Sequence, residues 1–134
     1  MKLTLYTDGA SRGNPGPSSY GFSIRDTKGK VLYEEGKYLG VATNNFAEYS
    51  GILNALRYIH SNISSASDIT CYMDSKLVVE QLSGGFKIKS PNLKPLIFEI
   101  KKLEKKLGTI TYNHIPRSLN GDADNLANIA LDSL

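Results

Sequence analysis

The chain has 134 residues, of which 40% are hydrophobic, and this length suits one ordinary domain with its own core, so we expect residues 1–134 to form a single domain. No apolar run approaches the ~18 residues of a membrane span, and the first residues are too polar for a secretory signal; we expect a cytoplasmic protein without a membrane partner. The single cysteine, Cys71, excludes an internal disulfide and a cysteine-rich metal site, and the net charge of +3 only weakly favours a polyanionic partner.

The first third of the chain has the alternating pattern of β-strands. Leu3 and Leu5 alternate with polar residues, and a turn that contains Gly29 separates two further alternating runs. Strands are predicted over residues 2–7, 20–26 and 30–36, with 37–42 either extending the third strand or forming a short one. The first strand is expected to end at Asp8, ahead of a loop rich in Gly, Ser, Asn and Pro.

Helical and strand patterns alternate over the rest of the chain. A helix is predicted to begin near residues 43–45, which are of N-cap type, and Cys71 lies in a short buried strand over 69–73. Ser75 can cap a short helix that turns Leu77, Val78 and Leu82 inward. The remaining elements are an amphipathic helix over 92–107, a last strand over 109–115 and a helix over 122–134 whose packing candidates are Leu126, Ala127, Ile129, Ala130 and Leu131. Antiparallel strands followed by alternating strands and helices predict an α/β fold, a mixed sheet flanked by helices.

Four acidic residues lie where the chain passes from one element to the next. Asp8 and Asp74 end predicted strands, whereas Glu48 and Asp124 lie in the first turns of predicted helices, where the helix dipole alone would favour a carboxylate. If the two strands are parallel neighbours, Asp8 and Asp74 meet at the sheet edge where α/β proteins build ligand sites. By contrast, a solvated position at a hairpin turn or edge is expected for Asp26, Glu34 and Glu35.

Four carboxylates that converge would repel one another strongly unless a divalent cation neutralised them. Oxygen-only ligands select Mg²⁺ or Mn²⁺ rather than Zn²⁺. A cluster of this kind suggests two ions about 4 Å apart, the arrangement that stabilises in-line displacement at phosphorus. The residues therefore point to metal-dependent phosphoryl chemistry.

Four stretches carry a resemblance to type 1 ribonuclease H. They read "YTDGASRGNPGPSSYG" at 6–21, "TNNFAEYSGILNAL" at 43–56, "YMDSKLVVEQL" at 72–82 and "HIPRSLNGDADNLANIALD" at 114–132. They occur in the family's order and span nearly the whole chain. The resemblance implies a five-stranded mixed sheet whose first three strands are antiparallel, and it is strongest to the short subgroup seen in archaeal and some bacterial enzymes.

The same resemblance implies an activity and a set of metal ligands. The expected reaction is hydrolysis of the RNA strand of an RNA–DNA hybrid, giving 5′-phosphate and 3′-hydroxyl ends. Two Mg²⁺ ions, for which Mn²⁺ would substitute, are expected on Asp8, Glu48, Asp74 and Asp124. No obligatory protein partner is evident, and we expect a monomer.

Further residues are assigned to the substrate by the resemblance. The nucleic-acid contacts implied are Gly9, Ala10, Ser11, Asn14, Asn44, Asn45, Ser75 and Lys76, with Gly9 letting the backbone approach ribose 2′-hydroxyls closely. An Asx-turn for Asn14 and an N-cap for Asn44 or Asn45 are the simpler alternatives. Auxiliary roles are implied for Arg117 in phosphate binding or product release, His114 in catalysis and Asn120 in orienting Asp124, although His114 lies where the last strand ends.

One departure from the longer enzymes concerns substrate affinity. They carry a basic protrusion between the third and fourth acids, and here that interval is too short to hold it. Lys87, Lys89 and Lys94 surround a predicted loop and are candidates for phosphate contact in its place, whereas residues 101–106 fit a solvated helix face equally well.

Three other functions compete with this interpretation. The first is a non-catalytic nucleic-acid-binding module on the same fold, and the presence of all four acids counts against it. The second is a related nuclease such as a resolvase or integrase core, which fits the Gly9–Ser11 and Asn44–Asn45 elements less well. The third is a glycosidase-like hydrolase, which needs only two acids and leaves the other two unexplained.

Overall fold

Five strands and four helices make up the protein in the computed structural model, which describes residues 1–63, 66–84 and 90–133. The strands are β1 (Lys2–Ser11), β2 (Gly16–Arg25), β3 (Val31–Ala42), β4 (Asp68–Met73) and β5 (Thr109–His114). The helices are α1 (Asn44–Asn62), α2 (Lys76–Leu82), α3 (Lys94–Leu107) and α4 (Gly121–Asp132), with a 3₁₀ turn at Arg117–Leu119. Within these described ranges, no helix is long and apolar enough to cross a membrane.

The strands form one sheet in the order β3-β2-β1-β4-β5. The pairs β1–β2 and β2–β3 are antiparallel, and the pairs β1–β4 and β4–β5 are parallel. This mixed sheet, with its first three strands antiparallel, confirms the predicted fold. The parallel half places the carboxyl ends of β1 and β4 side by side, which is where the candidate site lies.

The core lies between one face of the sheet and the helices α1 and α3. Leu5 of β1 and Cys71 of β4 are fully buried there against residues such as Ile52 and Leu56 of α1. The amphipathic pattern of α3 is confirmed, since its apolar stripe, which includes Ile97 and Ile100, is buried in the same cluster. Burial of this face accounts for the α/β architecture, because every apolar stripe of these elements finds a partner in one core.

Helix α4 covers the opposite face, across β1, β2 and β3. Its backbone lies directly on two glycines: a Cβ at Gly21 would meet the Ala123 carbonyl oxygen, and one at Gly36 would meet the Leu126 carbonyl oxygen. Any larger residue would push the helix outwards. The approach of α4 is therefore set by backbone contact, and this brings the residues of its first turn close to β1.

Several sequence predictions about individual elements were wrong. The first strand does not end at Asp8 but continues to Ser11, because β2 pairs with it up to Ser18. One predicted alternative is confirmed, because residues 37–42 extend the third strand, which is continuous over 31–42. Two apolar residues that were predicted to face inwards are exposed, Leu77 at 45% and Ile129 at 53%. Helices α2 and α4 each bury only some of the apolar residues that they carry.

The prediction that Glu35 is merely solvated was also wrong. Its carboxylate accepts hydrogen bonds from the Tyr20 hydroxyl at 2.6 Å and the Tyr33 hydroxyl at 3.0 Å, and the residue is half-buried. Tyr33 in turn stacks on Tyr58 of α1, with ring centroids 3.7 Å apart. This cluster adds polar and aromatic contacts between the antiparallel half of the sheet and α1 to the aliphatic packing of the core.

Candidate active site

The parallel pairing of β1 with β4 brings the first two acids together. Tyr6 lies opposite Tyr72 in the register, so two residues further along, Asp8 and Asp74 emerge at the same sheet edge and on the same face. β4 ends at Met73, whereas β1 continues beside β2. Asp8 therefore lies within a strand, at the point where its neighbour on one side has ended.

Glu48 comes to this edge from α1. It lies in the second turn of that helix rather than the first turn that the sequence predicted, because the helix begins at Asn44 and Thr43 caps it, accepting the Phe46 N–H at 3.2 Å. A Cβ at Gly9 would lie 2.5 Å from the Glu48 backbone nitrogen. Gly9 thus allows α1 to approach β1 closely, and the close approach of a substrate strand to the Gly9 backbone stays a prediction.

Carboxylate oxygens of Asp8, Glu48 and Asp74 all lie within 4.8 Å of one another. The Asp124 side chain comes to the same cleft from the first turn of α4, and its proximity helps to raise the pKa of Asp8. Asp124 also contacts Arg117, with Oδ1 and Nη2 3.6 Å apart. Four elements, two strands and two helices, therefore supply one cluster of acids.

Burial makes this cluster electrostatically costly. Asp8 is 5% exposed and Glu48 8% exposed, and desolvation raises the pKa of both carboxyls. The charge of Asp74 raises the pKa of each further, and the Gly9 backbone N–H, which is hydrogen-bonded to Glu48, only partly offsets this for Glu48. Protonation or a bound cation would relieve the repulsion.

The donor set fits a divalent metal ion. Glu48 Oε2 is buried without a hydrogen-bond partner among the described residues, and it belongs to the group of three carboxylates that could ligate one ion. An orphaned carboxylate oxygen is an expensive feature of a folded protein unless something binds it. Oxygen-only ligands suit a hard divalent cation, and the choice of Mg²⁺ or Mn²⁺ stays a prediction.

Comparison with known proteins gives the family. The model of the family described as "Reverse transcriptase-like" matches residues 6–130. The RNase H1 structure from the halophilic archaeon Halobacterium salinarum NRC-1 is 36% identical, with a TM-score of 0.93 over all of both chains. The chain belongs to the type 1 ribonuclease H family. This confirms the family and the fold that the motifs predicted.

Two other ribonuclease H relatives extend the comparison. LC11-RNase H1, solved in complex with an RNA/DNA hybrid, is 37% identical with a TM-score of 0.91, covering 98% of this chain and 97% of that one. The bifunctional protein Rv2228c of Mycobacterium tuberculosis is 42% identical over 134 residues, which is 99% of this chain and 36% of that protein. The chain thus spans about a third of the length of its mycobacterial relative.

A cleft of about 440 Å³ opens above the acids of this ribonuclease H fold. Most of the residues that the resemblance assigned to substrate line it: Gly9, Ala10, Ser11, Asn44, Asn45 and Ser75. Arg117 also reaches it, and its side chain is 79% exposed. Sequence reasoning missed two polar lining residues, Arg12 and Asn128, and expected Leu131 only to pack; the spacing of Asn128, one helical turn after Asp124, was the available signal.

Four predicted residues lie outside the lining of the cleft. Asn14 Oδ1 accepts the Asn44 backbone N–H at 3.1 Å, so it ties the loop after β1 to the start of α1 rather than closing an Asx-turn. Lys76 is exposed at the start of α2, and His114 is exposed at the end of β5.

Asn120 is the fourth, and its placement is structural. It is 1% exposed, and its Nδ2 donates to the Thr7 carbonyl oxygen at 2.8 Å. The backbone carbonyl oxygen of Asn120 accepts the Asp124 backbone N–H at 3.1 Å. One residue therefore connects the strand of Asp8 to the helix of Asp124.

The lysines proposed to replace the basic protrusion can be placed only in part. Lys94 is exposed at the first residue of α3. Lys87 and Lys89 lie outside the described residues.

Proposed function

We propose that this chain is a metal-dependent endoribonuclease that hydrolyses the RNA strand of RNA–DNA hybrids. The observation that carries the proposal is the convergence of Asp8, Glu48 and Asp74 within 4.8 Å, with the pKa of two of them raised and one carboxylate oxygen left without a partner. The hybrid bound to LC11-RNase H1 supports the choice of substrate.

Two Mg²⁺ ions, for which Mn²⁺ would substitute, are the proposed cofactors, held by Asp8, Glu48, Asp74 and Asp124. When bound, they would supply an activated water and charge stabilisation at the leaving 3′-oxygen. The products would carry 5′-phosphate and 3′-hydroxyl ends. No protein nucleophile is required; Cys71 is fully buried, and burial raises the pKa of its thiol to about 12.

Recognition of the RNA strand follows from the unequal lengths of β1 and β4. Pairing between these strands stops at Tyr6 and Tyr72, so the edge of Gly9, Ala10 and Ser11 that faces away from β2 is open to the cleft. Apart from the Gly9 N–H, which is directed at Glu48, the backbone groups on this edge would bond a ribose 2′-hydroxyl, the group that distinguishes RNA from DNA.

The flanking side chains have separate roles in this proposal. Asn44 and Asn45, at the start of α1, would bond the nucleic acid on one side of the acids. Arg117 would neutralise a phosphate on the other side, since its guanidinium is exposed above Asp124. Lys94 would contribute to affinity rather than to chemistry.

The test is cleavage of short end-labelled duplexes of three kinds, RNA–DNA, RNA–RNA and DNA–DNA, in Mg²⁺, in Mn²⁺ and in EDTA. Asp8→Asn serves as the inactive variant and Glu34→Gln, an exposed carboxylate on β3, as the matched control. We expect metal-dependent cutting of the RNA strand of the hybrid by the parent and by Glu34→Gln only. Failure of the folded parent to cut any duplex would favour a non-catalytic binding module.

A further inference from the structure

The half of the sheet that α4 leaves uncovered carries an aromatic surface. α4 packs across β1, β2 and β3, and the residues of β4 and β5 on the same face remain half-buried or exposed. Tyr6, Tyr72 and Asn113 occupy this face in one row, because the register places each opposite the next on β1, β4 and β5. Hydroxyl side chains, Thr4, Thr70 and Thr111, form the next row down.

The aromatic residues form a stack that crosses the strands. The Arg25 guanidinium carbon lies 5.3 Å from the Tyr6 ring centroid, and the Tyr6 and Tyr72 centroids are 5.3 Å apart at 26°. We call Arg25, Tyr6 and Tyr72 together the tyrosine stack. Arg25 is held in place by an ion pair with Asp122 and by a 3.2 Å hydrogen bond to Ser23.

The stack stops at Tyr72. The next strand, β5, has Asn113 opposite Tyr72, and in the described part of the chain no ring or cation stacks on that side of the Tyr72 ring. A flat group could therefore extend the stack by one layer above Asn113, whose amide would face its edge. A flat ring with hydrogen-bonding groups on its rim matches these two partners, an aromatic face and an amide.

The tyrosine stack adjoins the candidate active site. Tyr6 and Tyr72 precede Asp8 and Asp74 by two residues along the chain, a separation of about 7 Å where the chain is extended. The segment after β5 passes between the two areas: Arg117 lines the cleft, whereas Leu119, which is 66% exposed, lines a second cavity of about 330 Å³ together with Tyr6. A nucleic-acid strand that leaves the cleft over this segment arrives at the stack.

We propose that the tyrosine stack and Asn113 bind an unpaired nucleobase of a single-stranded segment that continues from the cleft. The base stacks on Tyr72, and the Asn113 amide bonds its edge. Aromatic side chains on adjacent strands of an open sheet bind single-stranded nucleic acid in this way, with little dependence on sequence. The inference rests on the proposed function only in taking nucleic acid as the ligand.

The test measures single-strand binding directly, without metal and without cleavage. Fluorescence anisotropy with a labelled oligothymidylate and a labelled oligouridylate would compare the parent with Tyr72→Leu, which keeps the sheet covered but removes the ring. We expect the dissociation constant to rise at least about fivefold, since one base loses its stacking partner. Tyr72→Phe should bind like the parent, and so should Tyr38→Leu, which removes a tyrosine that is 37% exposed on β3.

A second measurement connects the stack to the substrate. The parent should bind a hybrid with a single-stranded overhang more tightly than a blunt hybrid, and Tyr72→Leu should lose that preference while cutting the blunt hybrid at the parent rate. Equal single-strand affinity in the parent and Tyr72→Leu, the same loss in Tyr38→Leu, or no binding of either oligonucleotide by the parent would overturn the inference. Absence of cleavage together with intact single-strand binding would refute the proposed function alone.

Discussion

Replacing Asp8 with asparagine should stabilise the metal-free protein while abolishing its proposed activity. Burial, reinforced by the charges of Glu48 and Asp74, raises the Asp8 pKa from 3.8 to about 9. The folded state therefore holds a proton at neutral pH that the unfolded chain has already released. An asparagine amide does not titrate in this range, so the stability of the Asp8→Asn variant does not fall with pH through this position.

The size of the effect follows from the pKa shift. Between the unfolded and the folded pKa, each pH unit lowers the free energy of unfolding by ~1.4 kcal/mol for this group. Stability contributed by the Asp8 proton is complete below pH 3.8 and is lost as pH rises towards 9. From pH 5 to pH 7 the parent should lose ~3 kcal/mol through Asp8 that the variant does not lose.

Urea unfolding in EDTA at pH 5 and pH 7 measures this difference. The stability gap between Asp8→Asn and the parent should widen by ~3 kcal/mol at the higher pH, and Glu34→Gln, an exposed carboxylate, should follow the parent at both. Adding Mg²⁺ should stabilise the parent and narrow the gap. A gap of the same size at both pH values would show that Asp8 is ionised in the folded protein, and would refute the argument from desolvation.

Three further substitutions test the way the site is held. Asn120→Ala should lower the free energy of unfolding by ~1–3 kcal/mol in urea, because the buried Thr7 carbonyl oxygen loses its donor. Gly21→Ala should lower the melting temperature by several degrees, since its Cβ would meet the α4 backbone, whereas Gly121→Ala, which has open space, should be close to neutral. Arg117→Ala should raise KM for the hybrid more than it lowers kcat, as measured by steady-state kinetics, because its exposed guanidinium contacts substrate in our proposal.

The sequence predicted the structure well where hydrophobic residues repeat with the period of one type of element. Alternation in β1 and the apolar stripe of α3 specify which face is buried, and the parallel pairing of β1 and β4 follows from the order of elements. The meeting of Asp8 with Asp74 could therefore be predicted from strand ends alone. Glu48 and Asp124 were also singled out by their places near predicted helix starts, but only the family motifs distinguished them from ordinary helix-start acids.

What could not be predicted depends on contacts between distant segments. β1 runs past Asp8 because β2 keeps pairing with it, and no feature of residues 9–11 themselves indicates this. Leu77 is exposed because α2 is too short to bury every apolar residue it carries. Glu35 is half-buried because two tyrosines from its own sheet meet it, and the Tyr20 hydroxyl becomes its partner only once β2 and β3 are paired.

The two acids that lie on helices, Glu48 and Asp124, are positioned mainly by contacts between backbones. Glu48 stands where the α1 backbone touches Gly9, and Asp124 stands where the α4 backbone touches Gly21, the residue paired with Asp8 across β1 and β2. The closest distance between two backbones in contact is set by the van der Waals radii of atoms that every residue carries, whereas distances across layers of side chains shift when one side chain is exchanged for another. The positions of these acids therefore depend little on how the hydrophobic core packs. Aliphatic residues of the core can be substituted while the spacing of the carboxylates stays constant.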